Sequence, residues 1–272
     1  MVECVRDVRW LFSNRSAHDP AAAFRAFQQR CRGATALHSA PSEAKRMIGS
    51  EANHSGRRPL ASRDMAFFKL LAAGLARAGI SPNAISFFSV VFAIGAGLCL
   101  CGTHHLTGWA LRLHWLGAAC FIQLRLIANM LDGMVAVEGG KGGPTGELWN
   151  EAPDRVADAA IFVGAGFAAG SVPMLGVGAA VAAVFVAYVR ALGASVGAGQ
   201  IFIGPQAKPH RMFVMTLVAV VMAAVPEFHS RVGVEPLPLM EVALWFVIAG
   251  CVVTAWRRLA RIAEFLRGRT AR

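Results

Sequence analysis

Long stretches of this sequence have almost no charged residues, and that lack excludes an ordinary soluble protein. The chain of 272 residues is 56% hydrophobic and has a mean hydropathy of +0.50, whereas a soluble domain of this size is usually less apolar. A helix needs about 20 apolar residues to cross a bilayer, and several runs in the chain reach that length. The sequence therefore predicts an integral membrane protein.

Two further absences in the sequence argue against particular classes of protein. No two of the six cysteines form a CxxC pair, and three or four of them lie in apolar runs, where cysteine usually serves as a small packing residue. We therefore expect no disulfide framework and no zinc site. The basic residues, which give a net charge of +11, flank the apolar runs and form no patch interleaved with aromatic residues. This arrangement favours contact with a membrane surface over nucleic-acid binding.

The first part of the chain differs from the rest. Residues 1–63 are polar and rich in Arg, Ser, Ala and His, so we expect them to be disordered or to be a mis-annotated extension, with Met47 or Met65 as the true start. The segment "VRWLFSNR" is too short for the core of a signal peptide. Residues 64–79, "DMAFFKLLAAGLARAG", favour an amphipathic helix at the membrane interface, with a plain connector as the alternative.

The remaining sequence predicts an all-α integral membrane protein with six transmembrane helices after the N-terminal interfacial amphipathic helix. The membrane domain covers residues 80–256, and a basic tail covers 257–272. The six spans are expected at about 83–102, 108–131, 150–170, 174–196, 211–225 and 237–256.

The distribution of Lys and Arg predicts the orientation. Basic residues precede the first span and follow the last, whereas the loops 103–107 and 171–173 carry none. The positive-inside rule therefore places both termini in the cytoplasm, together with the loops 132–149 and 197–210. We expect the membrane to be a bacterial inner membrane.

Polar residues concentrate where the second span ends and the third begins. Residues spaced by three or four share one face of a helix. This spacing relates Arg125, Asn129, Asp132 and Ala136 in the second span, and Glu147, Asn150, Glu151, Asp154 and Asp158 in the third. An Asp in the middle of a membrane helix costs about 2.5–3.5 kcal/mol on insertion scales, so such residues tend to be functional.

Two such helices would direct oxygen ligands at each other. Clustered carboxylates repel one another unless a cation lies among them, and oxygen ligands suit Mg²⁺ or Mn²⁺. Such a metal commonly binds and polarises a diphosphate. A solvated charged face is the alternative, but small residues at the expected contact favour a site. The turn "EGGKGGPTG" is not a nucleotide-binding P-loop, because its Gly-Lys is followed by Gly.

The stretch from Asn129 to Asp154 resembles the signature of the CDP-alcohol phosphatidyltransferases, D-x2-D-G-x2-A-R-x8-G-x3-D-x3-D. Every spacing fits, at Asn129, Asp132, Gly133, Ala136, Gly146, Asn150 and Asp154. The segments "SPNAIS", "YVRALGASVG" and "GPQAKPHRM" resemble further conserved parts of that family. The resemblance covers about residues 64–256.

The resemblance implies a six-helix membrane fold, usually a homodimer, with a divalent-metal site for Mg²⁺ or Mn²⁺ that is open to the cytoplasm. It also implies a role in phospholipid biosynthesis. The donor would be a CDP-alcohol, often CDP-diacylglycerol. The hydroxyl group of an acceptor would attack the phosphate next to the lipid, and CMP would leave.

The resemblance also implies roles for individual residues. Asp154 and Asp132 would be catalytic, with Asp154 as the general base. The metal ligands would be Asn129, Asp132, Asn150 and Asp154. The small residues Gly133, Ala136 and Gly146 would let the nucleotide pack closely. Three cations would suit an acceptor phosphate, with ordinary positive-inside charge as the alternative: Arg190, Lys208 and Arg211.

The sequence departs from the signature at three positions. Asn replaces Asp at 129 and 150, and Val137 replaces the signature Arg. The site loses two negative charges and should hold metal more weakly, although Glu147, Glu151 and Asp158 are placed to compensate, Asp158 as a further metal ligand.

Three interpretations follow. A variant enzyme is favoured, a pseudoenzyme that binds a CDP-lipid is second, and a transporter is weakest because the chain has no internal repeat. The acceptor stays open among glycerol 3-phosphate, an inositol phosphate, a free polyol and an amino alcohol.

Overall fold

The computed structural model describes residues 66–138, 146–225 and 238–270. The expectations for residues 1–63, including the two alternative start sites, lie outside these ranges, as do the side chains of Glu147 and Asn150. The described residues form seven helices: α1 (Ala66–Arg77), α2 (Pro82–Gly102), α3 (Gly108–Glu138), α4 (Gly146–Gly166), α5 (Pro173–Ser195), α6 (Lys208–Ala224) and α7 (Leu239–Thr270).

Helices α2, α3, α5 and α7 are long and apolar enough to cross a membrane, which confirms the prediction of an all-α integral membrane protein. Helix α4 lies at the predicted third span but carries several charged residues, and α6 has 17 residues. The count of six spans therefore stays a prediction, as does the interfacial position of α1.

Two helices extend beyond their predicted ends. Helix α3 continues past residue 131 to Glu138, and α7 continues past residue 256 through most of the predicted basic tail to Thr270. Hydropathy shows where a run stops being apolar, whereas a helix stops at residues such as Gly or Pro that break it. Polar helix formers follow the apolar part of α7, so the helix continues beyond it.

Three of the helices begin at residues that favour a helix start. The Ser81 side chain accepts a hydrogen bond from the Ala84 N–H at 3.2 Å, and Pro82 follows at the first position of α2. Pro173 and Pro209 lie in the first turns of α5 and α6. Proline fits there because its missing N–H would have no partner within the helix.

Small residues let the helices approach closely. Helix α2 packs against α3 and α4, α4 packs against α5, and α3 packs against α6. A Cβ atom on Gly164 of α4 would lie 2.4 Å from the Gly97 Cα of α2 and 2.6 Å from the Gly97 carbonyl oxygen. Backbone atoms in contact across two helices are typical of membrane helix pairs. This contact fixes α4, and the acidic residues at its start, beside α2.

The Gly97–Gly164 contact leads to a stability prediction. Gly164→Ala is expected to lower the free energy of unfolding by about 1–3 kcal/mol, because the new methyl group collides with backbone that cannot move aside. Gly74→Ala in α1 is the matched control, since a Cβ there meets nothing within 4 Å and alanine favours the helix by up to about 1 kcal/mol. Thermal unfolding in detergent compares the two variants, and equal melting temperatures would contradict the prediction.

Candidate active site at one end of the helices

Polar side chains from five helices meet at one end of the membrane domain. They come from the beginnings of α2, α4 and α6 and from the later parts of α3 and α5. Hydrogen bonds and ion pairs connect them in three groups and one separate pair, Ser86 with Asp132. The members are Ser86, Arg125, Asn129, Asp132, Glu151, Asp154, Arg155, Asp158, Arg190, Lys208 and Arg211.

The first group joins α3, α4 and α6. The Asn129 amide donates to Asp154 Oδ1 at 2.8 Å, and the Lys208 ammonium lies 2.5 Å from that same oxygen. Lys208 also donates to the Asn129 side-chain oxygen. The structure thus brings together two of the predicted metal ligands and one of the predicted cations, with Asp154 only 7% exposed.

Asp132 lies between α2 and α3 and is buried. The Ser86 hydroxyl donates to Asp132 Oδ2 at 2.7 Å. The other oxygen, Oδ1, is buried and has no hydrogen-bond partner among the described residues. A buried carboxylate oxygen without a donor is unfavourable, so a cation at Oδ1 would satisfy it.

The second group centres on Asp158, which is 1% exposed. Arg125 donates to Asp158 Oδ1 at 2.6 Å, and Arg211 donates to Oδ2 at 2.8 Å. Arg125 is fully buried and also lies 3.5 Å from Asp154 Oδ1. Guanidinium groups therefore bind both oxygens of Asp158, and the cluster holds α3, α4 and α6 together.

The third group lies nearer the surface. One Arg190 nitrogen lies 2.5 Å from each oxygen of Glu151, and Arg155 donates to the same carboxylate at 2.5 Å. The Arg190 guanidinium carbon also lies 5.9 Å from the centre of the Phe202 ring. Ion pairing on one side and the aromatic face on the other fix the direction of Arg190.

The environment of Lys208 lowers the pKa of its ammonium group. Burial lowers the pKa of its ammonium group to about 8, and the positive charge of Arg125 acts in the same direction. The carboxylates of Asp154 and Asp158 oppose this shift. At neutral pH the group keeps its charge, so Lys208 acts as a cation among oxygen atoms that the sequence assigned to metal binding.

The other predicted site residues are placed as follows. Gly133 and Ala136 are half-buried on α3, and Gly146 is exposed at the start of α4, where a Cβ would meet nothing within 4 Å. Arg211 is 2% exposed, so its charge faces Asp158 in the interior. Val137, at the position of the signature Arg, is 57% exposed.

Sequence reasoning assigned no role to three members of the site: Ser86, Arg125 and Arg155. Ser86 lies in the quoted segment "SPNAIS". The pairing of Glu151 with Arg190 was also missed. Arg125 carried a signal, because it lies four residues before Asn129 in an apolar run and a buried guanidinium needs a counter-charge.

The residues present fit a divalent cation. Asp132 Oδ1 needs a partner, and the oxygens of Asp154 and Asn129 lie in the same region of the fold. Among the described residues, no three His, Cys, Asp or Glu side chains come together as a metal site. Mg²⁺ is usually bound by one or two carboxylates plus the phosphates of a substrate. The site thus fits a cation that shares its ligands with a bound phosphate.

Comparison with curated proteins found two relatives, both named phosphatidylinositol phosphate synthase. No family model matches the chain. A phosphatidylinositol phosphate synthase of Mycobacteroides abscessus is 36% identical over 94 residues, which cover 35% of this chain and 39% of the relative. A phosphatidylinositol phosphate synthase of Mycobacterium marinum is 31% identical over 94 residues and is matched over 36% of its length. The matched segment therefore spans little more than a third of these relatives.

Solved structures match over a larger share of the chain. Mycobacterium tuberculosis phosphatidylinositol phosphate synthase with CDP-DAG bound has a TM-score of 0.57 and 20% identity, covering 73% of this chain and 94% of that one. Its complex with manganese and citrate has a TM-score of 0.57 and 21% identity, covering 72% and 88%. The membrane domain of this protein therefore has the fold of the solved phosphatidylinositol phosphate synthase.

Proposed function

We propose that this protein is a CDP-alcohol phosphatidyltransferase of phospholipid biosynthesis. It would transfer a phosphatidyl group from a CDP-alcohol such as CDP-diacylglycerol to the hydroxyl of a small acceptor and release CMP. The observation that carries the proposal is the meeting of Asn129 and Asp154, two positions of the family signature, beside the cation Lys208. The names of the relatives and the CDP-DAG complex of the solved structure support it.

The donor would bind through its diphosphate. Lys208 supplies a positive charge, and the small residues Gly133, Ala136 and Gly146 leave room for the nucleotide. Asp132, Asp154 and the Asn129 oxygen would hold Mg²⁺ or Mn²⁺, which polarises the diphosphate when bound. Ser86 positions Asp132 by donating to Oδ2, which leaves Oδ1 for the cation. A manganese complex of the solved structure supports a divalent cation.

Asp154 would act as the general base. The donors to Asp154 among the described residues all bind Oδ1, which leaves Oδ2 to accept the proton of the acceptor hydroxyl. As that proton leaves, the acceptor oxygen forms a bond to the phosphorus next to the lipid. The bond from this phosphorus to the oxygen of the CMP phosphate breaks, and CMP departs. Positioned proton transfer of this kind typically contributes 10²–10⁴-fold.

The proposal also includes location and assembly. The positive-inside pattern supports a site that faces the cytoplasm, in a bacterial inner membrane. The resemblance to the family supports a homodimer.

A second candidate function is a pseudoenzyme that binds a CDP-lipid without turnover. One observation favours it, because the Lys208 ammonium contacts the oxygens of Asn129 and Asp154 that a metal would need. The two Asn residues of the signature lower the negative charge of the site further.

Release of CMP separates the two candidates. The purified protein is incubated in detergent with CDP-diacylglycerol, Mg²⁺ or Mn²⁺, and a pool of hydroxyl acceptors. We expect CMP release that stops when EDTA removes the metal. Binding of CDP-diacylglycerol without CMP release would instead establish the pseudoenzyme, and Asn129→Asp with Asn150→Asp should then restore turnover. Neither binding nor release would contradict both candidates.

A further inference from the structure

We propose that Glu151 makes the acceptor site selective for a neutral polyol over a phosphorylated alcohol. This inference rests on the proposed function and assigns its acceptor class. Glu151 is not one of the signature positions, and its position in the structure opposes binding of a phosphate at the cation best placed to receive one.

The three cations that the resemblance assigns to an acceptor phosphate are each paired with a carboxylate. Arg190 lies 2.5 Å from Glu151, Lys208 lies 2.5 Å from Asp154, and Arg211 lies 2.8 Å from Asp158. Each of the three cations therefore already has a carboxylate partner within the described part of the site, and Arg190 shares Glu151 with Arg155.

Of these three cations, Arg190 is the one best placed to bind an acceptor phosphate. The Arg211 side chain is 2% exposed and faces the interior, so a solute does not reach it. Lys208 is bound by the oxygens of Asn129 and Asp154. The Arg190 side chain is 22% exposed, and its guanidinium group is held between Glu151 and the Phe202 ring.

A phosphate group at Arg190 would lie next to the Glu151 carboxylate. Two like charges about 4 Å apart near a protein surface repel strongly enough to lower affinity at least about tenfold. Arg155, one turn further along the same helix, also binds the carboxylate and keeps it beside Arg190. The positive charge of Arg155 attracts a phosphate, so the effect of Glu151 is the loss of phosphate affinity relative to a site without its charge.

The same pair suits the hydroxyl groups of a polyol. The Glu151 side chain is 45% exposed, so its oxygens are accessible as acceptors for O–H groups. The neighbouring Arg190 offers N–H donors to the hydroxyl oxygens. A carboxylate beside a guanidinium thus complements adjacent hydroxyl groups, because each hydroxyl both donates and accepts a hydrogen bond. Binding of this kind does not require a charge on the ligand.

Matched pairs of acceptors test the selectivity of the full-length protein. CMP release is measured with myo-inositol against inositol 1-phosphate, and with glycerol against glycerol 3-phosphate. We expect kcat/KM to be higher for the unphosphorylated member of a pair. Glu151→Gln keeps the shape but removes the charge, and it should raise kcat/KM for the phosphorylated member at least about tenfold.

A control variant and a binding measurement complete the test. Glu264→Gln removes a carboxylate from an exposed ion pair with Arg261 and should leave the selectivity unchanged. Calorimetric titration with inorganic phosphate should show binding to Glu151→Gln that is at least about tenfold tighter than to the wild type. If Glu151→Gln does not fold, Glu151→Ser serves as the second variant.

The outcomes separate this inference from the proposed function. Preference of the wild type for the phosphorylated acceptors, or a ratio that Glu151→Gln does not change, would overturn the role of Glu151 while the transferase stands. Absence of CMP release with every acceptor would overturn the transferase. The phosphate titration would then decide on Glu151, and equal affinity in the wild type and Glu151→Gln would overturn its role.

Discussion

The Asp154→Asn protein is expected to release CMP at least about 100-fold more slowly than the wild type, at the low end of what general-base catalysis contributes. Asparagine has the same shape and keeps an oxygen for the hydrogen bond from Asn129 and the contact with Lys208. It cannot take the proton of the acceptor hydroxyl, so binding should persist while the chemical step fails. The measurement is kcat for CMP release at saturating donor and acceptor.

Two further measurements identify the cause of the loss. Thermal unfolding should show a folded Asp154→Asn protein, and titration with CDP should show that the nucleotide still binds. A kcat within tenfold of the wild type would exclude Asp154 as the base. Loss of CDP binding together with turnover would assign Asp154 to the binding of metal and nucleotide instead.

The site could be predicted from sequence where the spacing of residues along one helix decides the geometry. Asn129 and Asp132 share a face of α3, and Asp154 faces them from α4, as the three- and four-residue spacings indicate. The observed hydrogen bond between Asn129 and Asp154 confirms that these two faces meet. The approximate positions of the helices were predicted for a similar reason, because runs of apolar residues are visible in the sequence.

Pairings between distant helices could not be predicted in this way. Asp158 shares a face with Asp154, and from the sequence it was as good a metal ligand as its neighbour. Its actual partners, Arg125 and Arg211, come from α3 and α6. Which cation reaches which carboxylate depends on how the helices cross, and spacing within one helix does not contain that information.

The charges at the centre of the site balance one another. Three buried carboxylates, Asp132, Asp154 and Asp158, stand against the buried Arg125 and Arg211 and the half-buried Lys208. Asp at positions 129 and 150 would add two negative charges, which a divalent cation could neutralise. With Asn there, the protein charges are already balanced, so metal binding should depend on the negative charge that the diphosphate of the donor brings. Under the proposed function, the Asn residues would therefore favour binding of metal and donor together.

The Asp158→Asn protein is expected to be less stable than the wild type by about 3–5 kcal/mol. The substitution leaves Arg211 buried without a negative partner and leaves Arg125 with only Asp154, 3.5 Å away. Removing one member of a buried ion pair typically costs that much. The measurement is thermal unfolding in detergent. Glu264→Gln is the matched control, because its ion pair with Arg261 is exposed and surface substitutions usually change stability by less than about 0.5 kcal/mol.

The same experiment distinguishes the two roles considered for Asp158. An ion-pair role predicts that the loss of stability is the same in EDTA and in Mn²⁺, since both oxygens bind guanidinium groups. A metal-ligand role predicts that wild type and variant unfold alike in EDTA and differ only when Mn²⁺ is added. Equal unfolding in EDTA would therefore reject the structural role and return Asp158 to the set of metal ligands. In that case Arg125 would have to find its counter-charge in Asp154, 3.5 Å away.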